Sequence, residues 1–162
     1  MDNRERVLRH LERDARLEPG NIADALSLPE QEVRRIIEEA RADGTIVGYS
    51  TLINWDKTDR VYVSAMIEIR VHLQRGEGFD SVARSIGSFP EVQSLYLMSG
   101  GYDLMVVIEG KTMRDVALFV SEKLAVIDGV TGTATHFILN KYKDKGITFN
   151  VSECDQRVIL DI

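Results

Sequence analysis

The apolar residues of this chain change period near residue 60, and few folds accommodate both halves. Up to residue 45 they recur at helical spacing: Val7, Leu8, Leu11 and Ala15, then Ile22, Ala23 and Leu26, then Val33, Ile36, Ile37 and Ala40. From Val61 they alternate. Val61, Val63, Ala65, Ile67, Ile69 and Val71 share one face of a strand, while Tyr62, Ser64, Met66, Glu68 and Arg70 share the other. The chain reads as an α+β protein with a helical amino half and a sheet-forming carboxyl half.

In the amino half, Leu17-Glu18-Pro19-Gly20 separates the first two helical patterns and Ser27-Leu28-Pro29 the second and third. Proline starts a helix but does not sit inside one. So short a second connection forces its two helices to cross sharply, as in a helix-turn-helix. Asp43-Gly44 ends the third helix, glycine supplying the left-handed cap. Ile46 to Ile53 alternates weakly and reads as an extended strand leading to Trp55, the wing of a winged helix-turn-helix. The expected division is residues 1–45 for this unit, 46–60 for a linker strand, 61–145 for the sheet domain and 146–162 for a carboxyl extension.

The sheet domain reads β-α-β-β-α-β. After the strand from Val61, Phe79, Val82, Ala83 and Ile86 form a helical stripe; Glu91 to Met98 and Asp103 to Glu109 are strands. Thr112-Met113-Arg114-Asp115 fits a capping box, opening a helix whose expected buried face is Met113, Val116, Val120 and Leu124. Val130 to Tyr142 is the fourth strand. Phe79, Val82, Ile86 and Val92 echo Ala117, Val120, Leu124 and Val130 at an offset of 38 residues. This is the ferredoxin-like βαββαβ plan: an antiparallel sheet, two helices on one face, the other face open. An open face bearing Tyr62 and Met66 calls for a partner, so a dimer is expected.

Charge gives no sign of nucleic acid. Residues 1–45 carry 8 Lys/Arg against 11 Asp/Glu, and the remainder 12 against 15, giving a net charge of -6 without a basic stripe. The apolar runs fall far short of the ~20 residues that cross a bilayer, and residues 1–20 are charged rather than signal-like, so a cytoplasmic location is expected. Cys154 is the only cysteine, which excludes an intrachain disulfide and a cysteine-rich zinc site. No metal spacing joins His10, His72 and His136, no nucleophile motif lies near them, and no Walker-type loop or dinucleotide fingerprint occurs; neither cofactor nor metal is expected.

Two places carry more chemistry than packing requires. With Val33, Ile36, Ile37 and Ala40 inward on the third helix, Gln31, Arg34, Arg35, Glu38 and Arg41 are left as candidates for DNA. Glutamine pairs with adenine, and arginine with guanine or phosphate; the plainer alternative is a solvated face held by i,i+4 ion pairs. The second place is Ser99-Gly100-Gly101-Tyr102-Asp103, between two buried strands. As a hairpin it explains its glycines through positive φ. It does not explain Tyr102 or Asp103. A ligand site does: glycine allows close approach to the backbone, free amides take a carboxylate, and Asp103 takes an ammonium group. Thr131, Thr133 and Thr135 recur on one face of the last strand, as strand propensity alone would allow.

The helix-turn-helix "NIADALSLPEQEVRRIIEEARADGTIVGY", a joining strand and a βαββαβ domain with "GGYDLMVVIEG" between its middle strands together resemble the Lrp/AsnC family of transcriptional regulators, also called feast/famine regulators. The resemblance covers residues 4 to about 145. It implies a DNA-binding amino half, and a carboxyl half that senses an amino acid and forms homodimers assembling to octamers, with the effector between dimers. It brings the start of the last strand towards the junction, making Thr133 and Thr135 secondary effector contacts. One departure is visible: Pro29 stands where such regulators commonly cap the recognition helix with serine or threonine, and Glu30 and Glu32 fill its first turn. These favour the helix dipole but repel phosphate.

The expected function is a sequence-specific DNA-binding regulator modulated by an amino acid or related metabolite. The competing reading is a metabolite-sensing oligomer whose acidic helical head docks a protein instead of DNA. A ferredoxin-like enzyme has no acid/base or nucleophile set here.

Overall fold

The computed structural model describes residues 2–73 and 78–149. Cys154 and the strand expected from "VILDI" lie outside the described residues. The chain divides after Ile53 into two compact units.

In the first unit, α1 (Asn3–Arg13), α2 (Pro19–Leu26) and α3 (Glu30–Ala42) bury Val7, Leu11, Ile22, Ala23, Val33 and Ile36 together. The sequence sets the boundaries. The Asp2 side chain accepts from the Glu5 N–H at the start of α1, and Pro19 opens α2. Ser27 ends α2 in the left-handed region at φ 54°, ψ 46°, which lets the Leu28 N–H donate to the Ala23 carbonyl at 2.9 Å. That turn aims α3 away from α2. The wing strand is not formed: Ile46 is tied back by its N–H to the Ala40 carbonyl at 2.8 Å, and residues 47–53 make no β-pairing among the described residues. An extended segment becomes a strand only where a neighbouring strand takes up its backbone groups.

Arg4 at the start of α1 reaches Asp43 (2.5 Å) and Thr45 Oγ1 (2.9 Å) just beyond α3. Its hydrogen bond, reinforced by Thr45, holds the Asp43 carboxyl down from its ordinary 3.8 to about 2. A carboxylate depressed in the folded state adds stability that is present above its ordinary pKa and is lost as pH falls through the folded value. Urea unfolding followed by helical circular dichroism is therefore expected to lose stability between pH 4 and 2 more steeply in the parent than in Asp43→Asn. Equal slopes would mean that this link does not hold the helices together.

In the second unit, β1 (Val63–Val71), β2 (Val92–Leu97), β3 (Leu104–Gly110) and β4 (Val130–Phe137) form one sheet of order β2-β3-β1-β4 with every neighbouring pair antiparallel. Helices α4 (Phe79–Gly87) and α5 (Met113–Phe119) cover one face, burying Ala65, Ile67 and Ile69 against Leu104, Val106 and Ile108 with Val82, Ile86, Val116, Phe119 and Leu124. Two expectations change in detail. Met113 is 56% exposed, and Phe119 replaces it in the core. The reason is the π-helical turn Val120–Leu124, which widens the helix so that Phe119 and Leu124 both reach the sheet. The last strand stops at Phe137 instead of Tyr142. Ile138 still donates to the Ser64 carbonyl at 2.9 Å, but β1 begins at Val63 and offers nothing beyond. The chain then forms a small hairpin, β5 (Lys143–Asp144) with β6 (Ile147–Thr148), whose turn residues Lys145 (φ 45°) and Gly146 (φ 82°) both take positive φ.

Candidate functional site

Helix α3 presents Gln31, Arg34, Arg35, Glu38 and Arg41 to solvent, opposite buried Val33, Ile36 and Ala40. Two of the cations are already engaged. Arg34 lies 2.5 Å from Glu30, and Arg35 lies 2.9 Å from Glu39, each an exposed i,i+4 pair. Such pairs are worth a few tenths of a kcal/mol and are screened by salt, so a stronger anion displaces them readily. The first turn is less free than its sequence suggests. Pro29 offers no side-chain cap, and Glu32 accepts from the Asn3 side chain at 3.0 Å. Of the two first-turn carboxylates, Glu32 is thus committed to α1 and Glu30 to Arg34.

The junction between β2 and β3 is closed by the Met98 N–H donating to the Asp103 carbonyl at 2.7 Å. Gly100 sits at φ 152°, whereas Gly101 does not take positive φ, so only the first is there for its conformation. A Cβ on either would meet nothing within 4 Å. The loop backbone is therefore open to an approaching molecule. Asp103 has another task. Its Oδ2 accepts from the Val71 N–H at 2.7 Å, and its own N–H donates to the Ile69 carbonyl at 3.0 Å. The β1–β4 register slips between Arg70 and Val71, and Asp103 supplies an acceptor to the amide beside that slip.

Register places the remaining candidates. Residues directly opposite in an antiparallel pair project to the same face. Thr135 pairs with Ile67 and Thr133 with Ile69, which puts both threonines on the helix-covered face. Arg70 pairs with Gly132 and Glu68 with Ala134 on the open face. There a cavity of about 270 Å³ is lined by Glu68, Arg70, Tyr102, Gly132, Thr133 and Ala134. Of the expected effector residues only Tyr102 and Thr133 border it, Thr133 from a position whose side chain the register sends to the other face; Thr135, Ser99, Gly100, Gly101 and Asp103 do not. Glu68 and Arg70 were legible in the sequence only as the second face of a strand. The available signal was opposite charges two residues apart, together with a glycine and an alanine two apart on a later strand.

The Lrp/AsnC ligand binding domain model matches residues 64–148. YugG, an uncharacterized HTH-type transcriptional regulator of Bacillus subtilis, is 45% identical over 155 residues, covering 95% of this chain and 93% of its own. The chain belongs to the Lrp/AsnC family. LrpA of Pyrococcus horikoshii, also an HTH-type transcriptional regulator, is 33% identical over 88% of this chain and 99% of its own. A Neisseria meningitidis transcriptional regulator solved in complex with L-Met shares the fold, with a TM-score of 0.71 at 20% identity over 93% of this chain and 97% of that one. The Lrp/AsnC chain is accordingly a transcriptional regulator and not an enzyme, with a helix-turn-helix unit before a ligand-binding domain. Among the described residues no helix is long and apolar enough to cross a membrane, and no group of three or more His, Cys, Asp or Glu is placed to hold a metal ion.

Proposed function

We propose that this regulator acts in the cytoplasm, binds duplex DNA through α3 and changes its assembly, and with it its DNA binding, when an amino acid binds the sheet domain. The observation that carries the DNA half is the outward row Gln31, Arg34, Arg35, Glu38 and Arg41 on the second helix of a helix-turn-helix. The row is short of cations and two of them are paired, so one head binds weakly. Homodimers assembling to octamers present several heads at once, and linked heads raise affinity by about 100- to 10,000-fold without new contacts. The amino-acid half rests on the family's ligand-binding domain, the open Gly100–Gly101 backbone and the neighbouring cavity, and the L-Met complex of the Neisseria regulator supports this class of effector. A ligand held between dimers shifts the oligomer population by its differential affinity for the assembled state.

Selection of a random duplex pool on the full chain tests this reading. An enriched sequence is expected whose affinity falls steeply with salt and changes several-fold on adding one of the twenty L-amino acids, with a parallel change in mass by light scattering. No duplex binding even at low salt would favour the reading in which the acidic head docks a protein.

A further inference from the structure

The chain enters the four-stranded sheet from the helical unit at the start of β1 and leaves it at the same end. There β4, antiparallel to β1, stops opposite Ala65, and the Ile138 N–H closes on the Ser64 carbonyl. Beyond that end, outside the four-stranded sheet, stands the hairpin β5–β6. Between residues 141 and 145 three lysines stand against one aspartate, a local charge of 3 − 1 = +2 in a chain of net charge -6. Asp144 lies 3.5 Å from Lys141. Lys143 and Lys145 are exposed and have no ion-pair partner among the described residues.

Two features of this hairpin make poor sense as packing. Lys145, at φ 45°, is one of two non-glycine residues with positive φ among the described residues, and a long side chain there costs backbone energy that glycine would avoid. The hairpin is also bare: Tyr142 and Ile147 are more than half exposed, as are Lys143 and Thr148 to solvent beside them. A two-stranded hairpin with so little covered is marginal by itself. The cations continue around its base. One cavity joins Asp56, Met113 and residues 137–141, which brings Lys57 and Arg114, each next in sequence to a lining residue, to the same end. Neither has an ion-pair partner among the described residues.

We propose that the β5–β6 hairpin is a second contact of this regulator with duplex DNA: Lys143 and Lys145 take backbone phosphates without reading bases, in addition to the contact made by α3. The proposal rests on the DNA reading above and supplies cations that the acidic helical unit lacks. The partner follows from shape and charge. A two-stranded ribbon is narrow enough to enter a DNA groove, and ammonium groups at its tip are point charges suited to phosphate. A lysine held where glycine fits better is a local cost of the kind found at functional positions.

Fluorescence anisotropy of the full-length protein at several salt concentrations tests this, with the duplex enriched in the selection above and a random-sequence duplex of equal length. The variant carries Lys143→Gln and Lys145→Gly, which removes both charges while glycine keeps the positive φ of the turn. Affinity for both duplexes is expected to fall by the same factor, roughly tenfold, with a salt dependence shallower by about one unit per lysine. Mass by light scattering stays that of the parent, and Lys143→Arg with Lys145→Arg restores binding. Parental affinity and salt dependence in the Gln/Gly variant would overturn the proposal while leaving α3 as the DNA-binding element. A loss of affinity accompanied by a change in mass would also overturn it, because the hairpin would then join copies of the chain. No binding of either duplex by the parent would overturn the DNA reading and this proposal together.

Discussion

Replacing Arg34 and Arg35 together by alanine is expected to lower duplex affinity by roughly tenfold to a hundredfold or more, with circular dichroism and melting unchanged. A good base contact is worth about 1–3 kcal/mol, and 1.4 kcal/mol is tenfold. Both side chains are exposed on the side of α3 opposite Val33 and Ile36, so their removal empties no part of the core. The helix loses only its pairs with Glu30 and Glu39, each worth a few tenths of a kcal/mol. An arginine on phosphate also leaves a signature in salt: its loss makes the dependence of log affinity on log salt shallower by about one unit. Glu30→Gln should act in the opposite direction, freeing Arg34 and removing an anion from the DNA side, whereas Glu32→Gln should do less because Glu32 is held by Asn3. Fluorescence anisotropy at two salt concentrations separates these outcomes. Unchanged binding in the double arginine variant would remove α3 from the DNA interface.

Elements with strong local signals were legible in the sequence. Pro19, Pro29 and Asp43-Gly44 punctuate the helices, and the Thr112–Asp115 capping box forms with both of its reciprocal hydrogen bonds. The alternation from Val63 to Val71 gives the strand and its buried face. What was not legible depends on partners distant in the chain. Residues 47–53 have the pattern of a strand but, among the described residues, no neighbouring strand to pair with, and Met113 has the periodicity of a core residue but loses its place to Phe119 through a π-turn that no hydrophobic pattern encodes. The candidate site shows the same limit. Glycine and aspartate marked the junction as chemically loaded, yet whether a carboxylate faces a ligand or a backbone amide depends on a register slip in β1 and β4, which only the pairing reveals.

That slip determines what Asp103 variants should do. Asp103→Ala is expected to cost about 1–3 kcal/mol, because it strands the part-buried Val71 N–H that now donates to Oδ2 at 2.7 Å. Effector response should fall with it, since the end of β1 beside the glycine-rich junction loses its anchor. Asp103→Asn keeps a carbonyl oxygen in the same place. It should recover most of that stability and, if the Asp103 carboxylate serves the strand rather than the ligand, should also recover amino-acid binding to within a few-fold of the parent. Thermal melting and titration calorimetry on both variants decide between the two roles. An asparagine variant that melts like the parent yet binds no amino acid would return the ammonium contact to the Asp103 carboxylate, because only the charge would then be missing.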